Sequence, residues 1–255
     1  MEFDSLVERG RERGWSRLPL GRRVVAIGKE FLGTPYVGGT LDRSPGKEEC
    51  TVLLDGLDCV TFFETSLALA RVLVLERPSW DALVAEVAAT RYRRGAAEGY
   101  ASRLHYTSDW ILTNAARGLV ADATRTMPGA EPWTKKIGFM SGHRDRYPAL
   151  ADPAVFDAIR DSERALSEAD RSWIPKEAVP KAAGAFRSGD IFGLVTGVEG
   201  LDCAHTGLCA GDGAGARLMH ASSSQGKVVL DRPIVELVAA SRSWTGIVVA
   251  RPQGA

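Results

Sequence analysis

The first part of the chain carries apolar residues at helical spacing. One predicted helix covers residues 19–32 and ends at Gly33, with an apolar face formed by Leu20, Val24, Ile27 and Phe31. A second covers residues 59–76, where one stripe is formed by Val60, Phe63, Leu67, Ala70 and Val74. Ser79 and Asp152 stand where the N-caps of two further helices are expected. Between those two helices, residues 92–148 are predicted to form loops around one short helix near residues 109–117.

The pattern changes after Pro180 from helical spacing to the alternation of strands. About five short β-rich segments follow, at residues 191–196, 204–210, 216–221, 228–230 and 246–250. Helices followed by strands predict an α+β fold, with a mainly antiparallel sheet packed on the helix that begins at residue 59.

Composition limits the classes of function. The chain has 255 residues, 45% apolar and 25% charged, and its 32 basic residues equal its 32 acidic ones. This balance is typical of a soluble globular protein, and without a basic excess nucleic acid is an unexpected partner. We predict a single domain, residues 1–255, with residues 92–150 as an insertion beside the site. The oligomeric state is left open.

Two observations bear on localisation. Residues 1–15 are charged and lack the apolar core of a signal peptide. The longest apolar runs fall far short of the ~20 residues that span a membrane. We therefore expect either a cytoplasmic protein or one whose export leader has been removed.

Cys59 stands at the start of the second predicted helix. Asp58 is suited to cap that helix, and Thr61 with Glu64 offers an alternative capping box. The unpaired N–H groups of a helix start favour a negative sulfur and can bind an oxyanion. We therefore expect a lowered pKa and a nucleophilic thiolate at Cys59. A buried structural cysteine is the alternative interpretation.

Two of the four histidines fall in the strand-rich region. Asp212 and Gly213 form the dipeptide favoured in a two-residue type I′ hairpin turn. In that register His205 lies directly opposite His220, close enough for one imidazole to orient the other. A slip of one residue would turn His220 to the other face, so the prediction depends on the turn.

Two alternatives for the histidine pair stay open. The rings could be plain polar cross-strand partners. Cys203, His205 and Cys209 are separated by even numbers of residues, so they would lie on one face of the predicted strand, with His220 nearby. A zinc site is therefore the second alternative. Because the paired ligand spacing of zinc sites is missing, we expect no metal and no cofactor.

Four short motifs occur in a fixed order, at residues 31–36 (FLGTPY), 57–62 (LDCVTF), 205–208 (HTGL) and 219–222 (MHAS). The ordered set resembles the NlpC-type papain-like cell-wall hydrolases. Within them, residues 102–110, 139–141 and 189–191 resemble the N-acetylmuramoyl-L-alanine amidase-like branch. The resemblance covers roughly residues 20–250.

That resemblance implies a papain-like core and a Cys-His-polar triad carried by Cys59, His205 and His220. It implies hydrolysis of the amide between the lactyl group of N-acetylmuramic acid and L-alanine, in small muropeptides that include 1,6-anhydro forms. Related endopeptidases often have serine after the nucleophile, where this chain has Val60, which argues against their γ-D-glutamyl specificity. Such a function implies the periplasm or cell envelope if a leader has been removed.

The predicted substrate-binding residues are Tyr36, Asp58, Arg103, His105, Tyr106 and Trp110. Tyr36 matches the tyrosine that the related hydrolases place beside the nucleophile. Residues 100–110 are expected to form a wall of the site, where Arg103 pairs with a carboxylate and the aromatic residues stack on a sugar. The alternative places Trp110 in the core and bonds Arg103 to backbone carbonyls.

Three other functions remain open from the sequence. They are a γ-D-glutamyl-diaminopimelate endopeptidase, a module that binds muropeptides without cleaving them, and a metal-dependent hydrolase.

Overall fold

A computed structural model describes residues 2–42 and 47–254. The helices in these ranges are α1 (Phe3–Glu12), α2 (Leu20–Glu30), α3 (Cys59–Val72), α4 (Trp80–Arg91), α5 (Thr107–Ala116), α6 (Phe139–Gly142), α7 (Pro153–Glu168), α8 (Val179–Ala182) and α9 (Ile234–Ala240). The strands are β1 (Val120–Asp122), β2 (Glu131–Pro132), β3 (Ser172–Pro175), β4 (Ile191–Thr196), β5 (Cys203–Ala210), β6 (Arg217–Ser222), β7 (Lys227–Pro233) and β8 (Trp244–Pro252).

The strands form one sheet in the order β2-β3-β8-β4-β5-β6-β7, and β1 pairs with the end of β8. Every pairing among these strands is antiparallel. The predicted α+β class with a mainly antiparallel sheet is therefore confirmed. Among the described residues, no helix has both the length and the apolar character needed to cross a bilayer.

Helix α3 is the centre of the larger core. It packs between α2 and α4 and against β5 and β6, and Phe62, Phe63 and Leu67 on it are buried. Burial of each such side chain contributes about 1.5–3 kcal/mol. A second core forms where α8 and α9 pack on the sheet, and it includes Phe192, Leu194 and Ile247 of the strands. The sheet thus buries apolar side chains on both faces, and α3 packs against one of them.

Several elements differ from the sequence prediction. The helix predicted over residues 59–76 ends at Val72, and the one predicted over 19–32 covers Leu20–Glu30 with Pro19 as its N-cap. Helices α1, α6, α8 and α9 and strands β1, β2 and β3 were not predicted. The three extra strands have two to four residues each, and their extended form depends on pairing with distant parts of the chain, which local pattern does not report.

The turn between β5 and β6 is also longer than predicted. Ala210 pairs with Arg217, and residues 213–215 form a 3₁₀ turn between them. A type I′ turn needs positive φ at both central residues, but Asp212 is extended, with φ −118°. The predicted direct pairing of His205 with His220 is therefore wrong. Because the register moves by two residues, both histidines stay on one face of the sheet.

Gly207 provides the space for this arrangement. A Cβ at Gly207 would lie 3.0 Å from the Cβ of His220 and 2.9 Å from Leu218. A side chain there would displace His220, so the glycine two residues after His205 allows the two rings to meet.

Candidate active site

Cys59 is the first residue of α3 and Asp58 is its N-cap, as predicted. Asp58 Oδ1 accepts the backbone N–H groups of Val60 at 3.0 Å and Thr61 at 2.8 Å. The Asp58 N–H in turn donates to Thr61 Oγ1 at 2.9 Å. This reciprocal capping box, rather than the alternative of Thr61 with Glu64, orders the first turn beneath the sulfur.

The other carboxylate oxygen of Asp58 is engaged as well. Asp58 Oδ2 accepts the hydroxyl of the buried Thr40 at 3.2 Å. Both oxygens therefore serve the protein itself, which favours a structural role over the predicted substrate contact.

Replacement of Asp58 by alanine is expected to lower the free energy of unfolding by about 1–2 kcal/mol, because the helix start loses its hydrogen-bond acceptor. Urea denaturation measures the loss. Ser79→Ala is the matched control, since Ser79 caps α4 through one bond to the Ala82 N–H at 3.1 Å. A loss at Asp58 no larger than that at Ser79 would contradict the capping-box assignment.

Cys59 is half-buried as a whole residue, and its thiol is the more buried part. Burial raises its pKa, the neighbouring Asp58 carboxylate raises it further, and hydrogen bonding to Thr206 opposes the rise. The expected lowering of the pKa of Cys59 is therefore wrong, because desolvation and a nearby negative charge both disfavour the thiolate. At neutral pH the sulfur keeps its proton, so attack on a carbonyl needs a base.

His205 and His220 contact each other as predicted. His205 Nε2 lies 2.6 Å from His220 Nδ1, and the rings meet edge to face at 4.7 Å between centroids. The second nitrogen of His220, Nε2, lies 3.4 Å from Asp231 Oδ2. Trp244 lies parallel to His205 at 6.2 Å between centroids. The histidines thus form a chain that runs from β5 through β6 to a carboxylate of β7.

Both imidazoles are neutral in this environment. Burial, followed by the charge of the neighbouring His220, lowers the pKa of His205 to about 3. Burial also lowers the pKa of His220, although the hydrogen bond and charge of Asp231 oppose the change. A neutral His205 is in the protonation state of a base, which complements a protonated Cys59.

Strand β5 meets the start of α3 through Thr206. Its hydroxyl donates to the carbonyl oxygen of Cys59 at 2.8 Å. From standard backbone dimensions, the Cα atoms of Cys59 and His205 are then at most about 11 Å apart. Among the described residues, the hydrogen bonds join His205 to His220 but join neither ring to Cys59 Sγ. The structure therefore brings the two histidines together and packs β5, the strand that carries His205, against Cys59.

Tyr36 lies near the same place. Its backbone N–H donates to Gly226 O at 2.8 Å, and Tyr36 bridges to Leu57 just before the helix start. Burial raises the pKa of Tyr36, and the charges of Cys59 and Asp58 raise it further. The phenol of Tyr36 is therefore electrostatically coupled to Cys59 and Asp58.

The predicted wall of residues 100–110 is mostly buried structure. Arg103 donates to Leu41 O at 2.9 Å and to Asp42 at 2.6 Å. Tyr106 donates to Glu163 at 2.6 Å, and both Tyr106 and Trp110 are at most 5% exposed. These contacts support the alternative in which the three residues are structural, because their polar atoms or rings are used in packing. Trp110 packs edge to face on Phe63 of α3.

His105 is also held by its own segment. Its Nε2 lies 2.8 Å from Tyr100 O, and burial, followed by the charge of Arg103, lowers its pKa to about 3. Its contacts link it to residues 100–103 rather than to Cys59. The role of His105 in substrate binding has no geometric support.

Sequence reasoning missed Thr206 and Asp231. Thr206 follows His205 directly in β5, but no local pattern connects its hydroxyl with the carbonyl oxygen of Cys59. Asp231 lies at the far end of β7, and no local pattern connects it with His220. Among the described residues, no three His, Cys, Asp or Glu side chains are grouped as metal ligands.

Residues 26–247 match the family described as AmiA-like, N-acetylmuramoyl-L-alanine amidase-like. The chain belongs to this family. An N-acetylmuramoyl-L-alanine amidase from Bacteroides uniformis is 33% identical, with a TM-score of 0.83 over 92% of this chain and 99% of that one. The family supports an amidase-type hydrolase related to peptidoglycan.

Two other solved structures are similar. A Bacteroides fragilis protein described as a candidate xylanase is 33% identical, with a TM-score of 0.78 over 88% of this chain and 98% of that one. A Legionella pneumophila protein is 22% identical and shares the fold, with a TM-score of 0.72 over 98% of this chain and 94% of that one. No protein with a curated description matches the chain in sequence.

Proposed function

We propose that the protein is a papain-like cysteine amidase of the NlpC type, which hydrolyses the amide between N-acetylmuramic acid and L-alanine in muropeptides. The observation that carries the proposal is the arrangement around Cys59. Cys59 lies at a capped helix start, and Thr206 bonds its carbonyl oxygen to the strand that carries one histidine of a contacting pair. Family membership supports the choice of bond.

The mechanism follows from the neutral thiol and the neutral imidazole. His205 takes the proton of Cys59 as the sulfur attacks the lactyl carbonyl, because a raised thiol pKa leaves little thiolate before attack. The Cys59 backbone N–H at the helix start and the Tyr36 hydroxyl stabilise the oxyanion. His205 then protonates the departing alanine nitrogen. Water, deprotonated by His205, hydrolyses the thioester and releases the lactyl carboxylate and the thiol.

The identity of the products tests this proposal. With N-acetylmuramoyl-L-alanyl-D-glutamyl-diaminopimelate, mass spectrometry should show free N-acetylmuramic acid and the intact L-alanyl tripeptide. A γ-D-glutamyl endopeptidase would instead release diaminopimelate and leave L-alanyl-D-glutamate on the sugar. Comparison of the 1,6-anhydro and reducing sugars, with and without the peptide stem, identifies the preferred substrate.

The pH dependence provides a separate prediction. His205 acts as a base only when neutral, and its pKa is lowered to about 3. Between about pH 7.5 and 4.5, kcat/KM should therefore fall little, whereas a base of ordinary pKa 6.5 would lose about 100-fold by pH 4.5. Initial rates across this range, with circular dichroism to check folding, measure the effect. An acidic limb centred near the ordinary value would contradict the assignment of a neutral, buried base.

A further inference from the structure

We propose that Asp231 is a positioning residue that sets the tautomers of both histidines and leaves the basic lone pair of His205 on Nδ1. The inference rests on the proposed function, which makes His205 the base. Asp231 touches no part of the nucleophile and acts only through the two rings.

The first step is the contact of Asp231 with His220. Burial would raise the pKa of Asp231, but the Arg232 backbone N–H, at 2.7 Å from Oδ1, and the neighbouring His220 hold it below its usual range. An ionised carboxylate can only accept hydrogen bonds. Since Oδ2 faces His220 Nε2 at 3.4 Å, that nitrogen carries the proton. If Nε2 carried a lone pair instead, that lone pair would face the negative carboxylate of Asp231, and His220 is only 5% exposed to water that could screen the repulsion.

The second step passes along the histidine chain. A neutral imidazole has one N–H and one lone pair. With the proton of His220 on Nε2, its Nδ1 is an acceptor, and the atom 2.6 Å away, His205 Nε2, is the donor. His205 is neutral too, so its lone pair lies on Nδ1. Within residues 2–42 and 47–254, that nitrogen has no other hydrogen-bond partner, which leaves it free for the thiol proton.

Without the Asp231 carboxylate, no charged group in the described part of the chain fixes the tautomers of the two histidines. His220 could then carry its proton on Nδ1 and donate to His205 Nε2, which moves the His205 proton to Nδ1. In that tautomer His205 presents an N–H where the mechanism needs a lone pair. The fold need not change, because Asp231 lies half-buried at the end of β7.

Long-range ¹H–¹⁵N correlation spectra of histidine-labelled protein test the inference directly. In the wild type, both His205 and His220 should carry their proton on Nε2. Asp231→Ala should populate the Nδ1–H form of both rings and lower kcat with little change in KM. We expect a fall of about 10- to 100-fold, part of the ~10²–10⁴ that a positioned base supplies. Asp231→Glu should restore the Nε2–H forms and most of the rate.

Gln225→Ala is the matched control. The Gln225 amide also lies 3.4 Å from Asp231 Oδ2, but its removal leaves the carboxylate in place, so tautomers and kcat should stay as in the wild type. An Nδ1–H form of His205 in the wild type, or unchanged tautomers in folded Asp231→Ala, overturns the inference. Failure of the proposed function has a different signature, since the wild type would then show the expected tautomers and cleave no muramoyl–alanine amide.

Discussion

Cys59→Ala is expected to abolish the cleavage of N-acetylmuramoyl-L-alanine compounds. Without the sulfur no acyl-enzyme forms, and loss of a nucleophile in a hydrolase of this kind lowers kcat by about 10⁴-fold or more. The fold should persist, because Cys59 is half-buried and the capping box uses Asp58 and Thr61 instead. Release of the free amine of L-alanine, followed by mass spectrometry, measures the effect.

Cys50→Ala is the matched control for that experiment. Cys50 is also a half-buried residue with a free thiol, but its sulfur contacts Val84 O at 3.7 Å and Arg91 Nη1 at 4.0 Å instead of the histidine pair. Its replacement should leave kcat/KM within about twofold. Iodoacetamide, quenched at low pH, should label Cys59 faster as pH rises into the alkaline range, because the raised pKa keeps the thiol protonated at neutral pH. Full activity of Cys59→Ala would rule out a cysteine mechanism.

Arg91→Met is expected to produce the largest loss of stability. Arg91 and Glu64 are each 1% exposed and form an ion pair at 2.7 Å between Nε and Oε2. Removal of one partner leaves a buried, unpaired carboxylate and lowers the free energy of unfolding by about 3–5 kcal/mol. Glu64 lies in the second turn of α3, the helix that begins at Cys59. Molecules that unfold should therefore lose activity as well. Urea denaturation at neutral pH measures the loss.

The pH dependence of this loss identifies its cause. Burial raises the pKa of Glu64, and Arg91 opposes the rise. Without Arg91 the folded-state pKa rises further, so the deficit should grow as pH rises above the unfolded value and shrink on acidification. Arg164→Met, in an exposed pair with Asp161, should cost less than about 0.5 kcal/mol. A loss that is small or independent of pH would contradict the burial of a charged Glu64.

The positions of Cys59 and Asp58 could be predicted from the sequence because helix capping is local. The side chains involved are within three residues of one another, and the backbone N–H groups they satisfy belong to the same turn. The shared face of His205 and His220 was also predictable from strand alternation. Their register was not, since it depended on the conformation of Asp212 in the turn.

The wall of residues 100–110 shows the opposite case. The sequence shows an arginine, a tyrosine and a tryptophan near one another, a composition that suits either sugar binding or a core. Trp110 packs on Phe63, and Arg103 bonds to Leu41 and Asp42. These partners lie more than forty residues away in the chain, so burial follows from tertiary contacts that local pattern does not contain.

The sequence by itself determined the α+β class, the capped helix that begins at Cys59 and the pair of histidines on one sheet face, because these depend on periodicity and on neighbours along the chain. Only the tertiary structure decided that Thr206 ties β5 to Cys59, that Asp231 faces His220, and that the thiol keeps its proton. Each of these depends on which distant groups are desolvated together. A pKa and a hydrogen-bond partner are set by that environment rather than by residue type.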